Sequence, residues 1–447
     1  MNFEVYAYWN TVELAAVFNA IAAITGSGDF NGLLRTLALV AILSLAIGVL
    51  AGRGRHDDFW RWVFMLGIFH GMLLVPKSNV VIVDRTGTAP AQTVANVPIG
   101  LASLAHGTSK IGDWLTTAFE TVFSLPDDVQ LRKSGTLFGH RVMREKLAAG
   151  TVNPILLHNL MEFYRECIWP DMATGYISSR DISDAPDIWA LFNNTNPGLL
   201  VTILDYSDPA SSNTVSCPGA YSTLTAQLAL DVDQQLGAVG SRLYPGMSAS
   251  AAKAAFTGAL ATTTNYLLGV SQSAQGILRQ SIIGNTIIDA EYTIPSQLGD
   301  AAQAQVKLAQ AQAIRSFNTS YGTMTALADE TMPKLRNAVE ILTYALFPIV
   351  VLIIVISGQF AVTFLKAYLG SLLWVQLWPP LYAVTNFIMN TKAATGLSGA
   401  TAGDGLALKY YNYLGSAVAS DQAVAGVLAV AIPVIAYGIV QATMAAA

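Results

Sequence analysis

The sequence predicts a mainly α-helical, polytopic membrane protein of about five spans, with a large α-rich domain on the outer side that contains a small β-hairpin. Three observations lead there. Only 12% of the 447 residues are charged, about half the share of a typical soluble domain, and the mean hydropathy is +0.46. Ile341 to Leu365, Ala367 to Thr391 and Gln422 to Ala447 carry no charged residue, and each exceeds the roughly 20 residues that a helix needs to cross a bilayer. Between these and two earlier apolar runs lies a segment, Lys77 to Glu340, that holds 17 Lys/Arg and 22 Asp/Glu, enough chain for a core of its own.

The elements follow in order. Residues 1–30 begin with an amphipathic helix. Asn10 and Glu13 have the spacing of a reciprocal cap, Leu14, Val17, Phe18, Ile21 and Ile24 share a face, and Gly26 ends the run. Such a helix suits a membrane surface or a neighbouring subunit. Glu4 and Glu13 stand where a signal peptide would be basic, so none is expected. Residues 31–76 form a transmembrane pair, with spans at 33–52 and 59–76. The second also reads as a buried amphipathic helix. Arg53, Arg55 and Arg61 on the short loop between them place that loop inside, and hence the N-terminus and the large domain outside.

The domain, residues 77–335, opens with "VVIVDRTGTAPAQTVANVP", an apolar run, a Thr-Gly turn and a second run that read as a hairpin. A helix follows over 98–124, where Ile111, Trp114, Leu115, Ala118, Phe119, Val122 and Phe123 repeat at helical spacing. Turn residues from Pro186 to Pro218 mark a loop-rich insert, and 249–290 and the Ala/Gln-rich 297–332 read as helices. Residues 336–447 supply three spans, at 342–365, 369–390 and 423–445.

Motifs of catalysis do not occur. There is no Gly-Lys pair, hence no P-loop, and no CxxC, HExxH or GxSxG. The five histidines lack ligand spacing. The His56–Asp58 cluster reads as a solvated loop, and His70 as a hydrogen-bonded neighbour near a helix end. With net charge −5 and no basic run, strong direct nucleic-acid binding is not expected. The expectation is a protein without enzymatic activity, metal or cofactor. Gly48 and Gly52 in the first span, and Gly67 and Gly71 in the second, have the GxxxG spacing that lets helices pack in lipid. Cys167 and Cys217, the only cysteines, read as one disulfide in a translocated domain; two unrelated buried thiols are the alternative.

The fourth span is unusual. In "LWVQLWPPLYAVTNFIMN", Pro379 and Pro380 interrupt backbone hydrogen bonds that must be satisfied inside a membrane. Gln376, Thr385 and Asn386 lie around the break, and Trp374 and Trp378 share a face. Either this is a kinked anchor, or the break lines a pore or contacts a subunit. The stretch "WVQLWPPLYAVTN" resembles the tryptophan-rich, proline-broken span of the TraG-type proteins of F-like conjugation systems. "NVPIGLA" at 96–102 and "SQSAQGILRQ" at 271–280 resemble the same family, as does the placement of Cys167 and Cys217. The resemblance covers essentially the whole chain. It implies a polytopic inner-membrane subunit of a type IV secretion apparatus that serves pilus assembly and DNA transfer. It also implies homo-oligomers, contact with other pilus-assembly subunits and a periplasmic large loop. The rival expectation is a stand-alone solute transporter or channel. That class shows paired broken helices, and this sequence has one clear break.

Overall fold

The computed structural model describes residues 2–50, 60, 63–64, 67, 69–87, 89–297, 331–357 and 360–446. Residues 59, 61–62, 65–66 and 68 of the expected span 59–76, most of the 297–332 helix, His56–Asp58 and Gly52 lie outside the described residues. The chain is mainly helical with a small sheet, as expected. The expectation of about five spans is not confirmed: among the described residues two helices are long and apolar enough to cross a bilayer, Gly28–Gly48 and Leu408–Ala445, or up to three if a pair bent by 43° counts as one.

A strand unseen in the sequence comes first. Asn2–Ala7 (β1) pairs in parallel with Lys77–Asp84 (β2), from Asn2 opposite Asn79 to Ala7 opposite Asp84. β2 pairs antiparallel with Gln92–Pro98 (β3), which is the expected hairpin. The outer edge of β1 is closed by the helix Ile99–Phe123 (α3), because Ser109 Oγ accepts from the Tyr6 N–H at 3.3 Å and His106 Nδ1 meets the Glu4 carbonyl at 2.6 Å. A covered edge cannot recruit a foreign strand.

Thr11–Gly26 (α1) packs its Leu14, Phe18 and Ile21 face into the same core as Val80, Val94 and Val97. That face is therefore buried inside this chain, while Val12 and Ile24 on the same helix are exposed. Asn10 makes no cap bond; its Oδ1 accepts from the Tyr8 N–H and its Nδ2 donates to Glu340.

After Gly28–Leu50 (α2), the described residues of the second expected span are helical at 60, 63–64 and 67 and end in a π-helical turn, Phe69–Leu74, leading into β2. α3 buries only part of the face its periodicity marks. Phe119 and Phe123 stack toward Phe387, while Ile111, Trp114 and Val122 are exposed and Thr108, Ser109, Gly112, Asp113, Thr116 and Glu120 face inward. The inward carboxylates are paired: Asp113 holds Arg85 at 2.7 Å and Glu120 holds Arg132 at 2.5 Å.

The large domain between the apolar regions has its own core. It joins Phe138–Leu147 (α4), Pro154–Phe163 (α5), Cys217–Leu243 (α6), Ala249–Leu268 (α7) and Ala274–Gln297 (α8). The single helical stretch expected over 249–290 is broken at Gly269, whose φ of +69° is a left-handed cap conformation that favours glycine. The loop-rich insert contains a hairpin, Leu200–Leu204 (β4) with Ser212–Ser216 (β5), which sequence reading overlooked. Asn159 holds the end of β4 by exchanging both amide bonds with the Leu204 backbone.

Cys167 and Cys217 are bridged, with Cα atoms 5.8 Å apart and both residues buried. The bridge spans 50 residues, which on the chain-entropy model contributes about 4 kcal/mol. The double variant Cys167→Ser/Cys217→Ser is expected to lose stability of that order. A thermal melt matching wild type would show that the helical core alone holds the domain.

Lys146 is a second test of this core. It is fully buried, its Nζ has no hydrogen-bond partner among the described residues, and burial pushes its ammonium down to about 7. Between that value and the ordinary 10.5, the unfolded chain holds a proton that the folded chain lacks. Stability should then rise with pH across this window, by up to about 1.4 kcal/mol per unit. Lys146→Met should abolish the slope and raise stability at pH 7, read by denaturant titration at pH 7 and 9. An unchanged slope would mean that Lys146 is charged and solvated.

Candidate functional site: a buried polar junction at the helix break

The C-terminal third is built from Met332–Ala345 (α9), Phe347–Ile356 (α10), Ala361–Gln376 (α11), Trp378–Thr401 (α12) and Tyr411–Ala446 (α13). The expected fourth span is therefore two helices. Pro379 and Pro380 lie in the first turn of α12, where the N–H groups they lack have no helical duty. Consequently the Val375 and Gln376 carbonyls lose their i+4 donors. Gly112 of α3 fills that place: a Cβ there would sit 2.5 Å from the Gln376 carbonyl oxygen, so the glycine turns a Cα–H toward it. Pro379, Pro380 and Trp378 are buried within this chain.

Gln376 is the centre of a polar network. Its Nε2 donates to Glu340 Oε1 at 2.6 Å and to Tyr344 Oη at 3.2 Å, and its Oε1 accepts from Arg336 at 3.0 Å. Arg336 and Glu340, one turn apart on α9, pair at 2.8 Å with side chains 3% and 0% exposed. Asn10 adds a bond to Glu340 at 2.7 Å, and Asn337 donates to the Tyr8 carbonyl. Tyr8 stacks under the Arg336 guanidinium and donates to Asp113 at 3.0 Å. Burial and the Asp113 carboxylate push its phenol well above the ordinary range. The N-terminus, α3, α9 and α11 thus meet at one desolvated cluster whose charges cancel pairwise. Losing either charge would strand the other away from water.

A second knot lies farther along α12. Asn386 Oδ1 accepts from the Leu137 N–H at 3.0 Å and its Nδ2 donates to the Val129 carbonyl at 2.8 Å. Leu137 has a φ of +52°, strained for a branched side chain, so Asn386 holds an unusual turn in place. Trp374 donates to the Pro433 carbonyl at 2.8 Å and packs edge-on against Trp378. Thr385 instead bonds within its own helix, to Leu381. Trp374, Gln376, Trp378, Pro379, Pro380 and Asn386 are therefore brought together as an intramolecular joint. Pro379 also borders a small cleft with Trp9, Arg336 and Tyr382.

Of the GxxxG glycines, Gly52 lies outside the described residues, and among the described residues nothing lies within 4 Å of a Cβ placed at Gly48, Gly67 or Gly71. Close approach falls instead to Gly112, to Gly240 against the Ala252 carbonyl at 2.6 Å, and to Gly100 against Leu73 at 2.8 Å. Sequence reading took Asn10 for a cap and gave Arg336, Glu340 and Asp113 no place in a site. The one signal available was that Arg336 and Glu340 lie one turn apart immediately before an uncharged run.

Among the described residues no cluster of His, Cys, Asp or Glu could hold a metal ion. What this geometry does chemically is hold four segments in one register. Comparison with known proteins gives a family for it. The curated Protein TraG of Escherichia coli (strain K12) is 24% identical over 397 residues, which cover 86% of this chain and 40% of that relative. The chain thus spans well under half the length of the relative it matches. No solved structure matches. Residues 4–447 match the family described as TraG-like protein, N-terminal region, with the buried junction and the proline break inside the matched segment, and the chain belongs to that family.

Proposed function

We propose that this chain is a non-enzymatic scaffold or channel component of a conjugative type IV secretion system in the bacterial inner membrane, required for pilus assembly and DNA transfer. The observation that carries the reading is the family match over nearly the whole chain. Two features support it. The disulfide suits a domain in an oxidising compartment such as the periplasm, which agrees with an N-terminus and large loop outside. The joint around Gln376 ties soluble and apolar segments into one body, as a scaffold between membrane and pilus requires. In this reading the protein works as a homo-oligomer beside other pilus-assembly subunits.

The test is complementation of a donor strain that lacks the chain. Loss of both pili and transfer, restored by the wild-type protein, is the expected result; a deleted strain that retains pili would favour a stand-alone solute transporter. Pro379→Leu/Pro380→Leu refines it. A continuous helix would give the Val375 and Gln376 carbonyls their donors back and carry Trp374 and Trp378 out of the joint. The variant should accumulate in the membrane but transfer DNA poorly. Wild-type transfer frequency would return the break to a tolerated kink.

A further inference from the structure

The two span-length helices do not lie side by side. α13 runs antiparallel to α11 and α12: Lys392 meets Asp421 at 3.1 Å, Trp374 meets Pro433, and a Cβ at Gly370 would lie 3.1 Å from Met444 and 3.4 Å from Val440. Its C-terminal end is therefore level with Gly370. On the other side of that level, the Tyr368 ring packs on Phe347. There α10 and α11 form a hairpin that turns between Ser357 and Phe360, and Phe30, Leu34, Leu37 and Ala38 of α2 share a core with Val351 and Val355. The helices stand in series. By helical rise, Phe30 to Leu50 covers about 30 Å and Tyr411 to Val440 about 43 Å, whereas a hydrocarbon core is about 30 Å thick. One bilayer holds only one of the two layers.

Charge decides which layer it is. The layer of α13 carries an open ion pair between Lys133 and Asp127, 56% and 71% exposed, and the Lys392 side chain, 61% exposed. The Lys133–Asp127 pair sits on the loop that Asn386 fastens to α12, beside the core formed with Ala425 and Ala429. Hydrocarbon does not accept exposed charges. In the layer of α2 the outward residues are Leu39, Val40, Leu43, Ile47, Ile349 and Ile356. The charges on these elements, Asp29, Arg35 and Lys366, lie within two turns of the Gly370 level, where long stems reach headgroups.

Resting on the membrane reading above, we propose that among the described residues lipid contact falls to α2, to the residues by which the chain returns from it to β2 (Phe64, exposed, and Phe69–Leu74, of which His70, Leu73 and Leu74 lie beside Leu34) and to the α10–α11 hairpin. α2 is a span. The hairpin is re-entrant, since the ten residues Phe347–Ile356 descend about 15 Å, half a bilayer, to an uncharged tip. Helix α13 stands outside the hydrocarbon from Tyr411 to about Pro433, as does the 378–390 segment, and both are scaffold and not anchor.

Nitroxide labels on Leu43→Cys, Ser357→Cys, Val427→Cys and Lys133→Cys, each in the full chain in lipid nanodiscs, test this, because the native cysteines are bridged and do not label. Collision with oxygen against a water-soluble nickel chelate reports depth. Leu43 and Ser357 should show lipid signatures, with Ser357 near the bilayer centre. The oxygen-to-nickel ratio at Val427 should be about tenfold lower than at Leu43 and close to that at Lys133, since a polar chelate is excluded from hydrocarbon. A Val427 ratio equal to that of Leu43 would put α13 in lipid and overturn the inference. So would a nickel-accessible Ser357, which would mean that the hairpin crosses. Water-like ratios at all four sites would overturn the membrane reading itself.

Discussion

Glu340→Leu is expected to destabilise the protein by about 3–5 kcal/mol, the range for breaking a buried ion pair by removing one partner. Arg336 is almost wholly buried, and its guanidinium has Glu340 as its ion-pair partner, with Gln376 and Asn337 as neutral acceptors. Without the carboxylate, Asn10 and Gln376 lose an acceptor as well. The double variant Arg336→Met/Glu340→Leu should recover much of the loss, because two apolar side chains leave no stranded charge. Thermal unfolding in mild detergent reads both. If the single variant melts with wild type, water must reach the cluster and the junction is not desolvated. If the double variant is no better than the single, the network contributes through its hydrogen bonds and not its charge pair.

The second large effect is expected at Gly112. An alanine there would place Cβ 2.5 Å from the Gln376 carbonyl and 3.2 Å from its Cβ, and backbone cannot swing away as a side-chain tip would. Overpacking of this kind costs about 1–3 kcal/mol, occasionally more. It also moves Gln376 off Glu340, so the loss should exceed that of a simple clash. Gly48→Ala is the matched control, since nothing lies near that Cβ. Expression, melting temperature and pilus production should fall for Gly112→Ala and stay level for Gly48→Ala. Equal behaviour of the two would mean that α3 and α11 slide apart without cost, and that their crossing does not hold the break.

Asn386→Ala offers a milder check. It would leave the Leu137 N–H and the Val129 carbonyl unpaired, at about 1–3 kcal/mol each if they stay buried. A loss under half of the lower figure, measured by denaturant titration, would show that water replaces the amide.

Much of the architecture was legible residue by residue. The apolar stretches, the β2–β3 hairpin, the 99–123 helix and the cysteine pair depend on local pattern or composition, and each appears in the structure. Errors arose where a distant partner outweighed the local signal. Asn10 has the sequence of a cap but serves Glu340, 330 residues away. β1 forms only because β2 lies beside it in parallel, a pairing that no hairpin turn announces. Periodicity showed α3 as a helix but not that Asp113 and Glu120 would be inside, where Arg85 and Arg132 pair with them.

By itself, then, the sequence determined that this chain is apolar, largely helical and broken at Pro379 and Pro380, because composition, periodicity and the lack of an N–H are properties of neighbouring residues. Only the tertiary structure decided what the break is for. Gln376 gains its meaning from Arg336 and Glu340, Gly112 from the carbonyl it meets, and the last helix its level from Gly370. Each is a contact across many residues of chain, and desolvation makes such contacts strong only once the surrounding helices have excluded water.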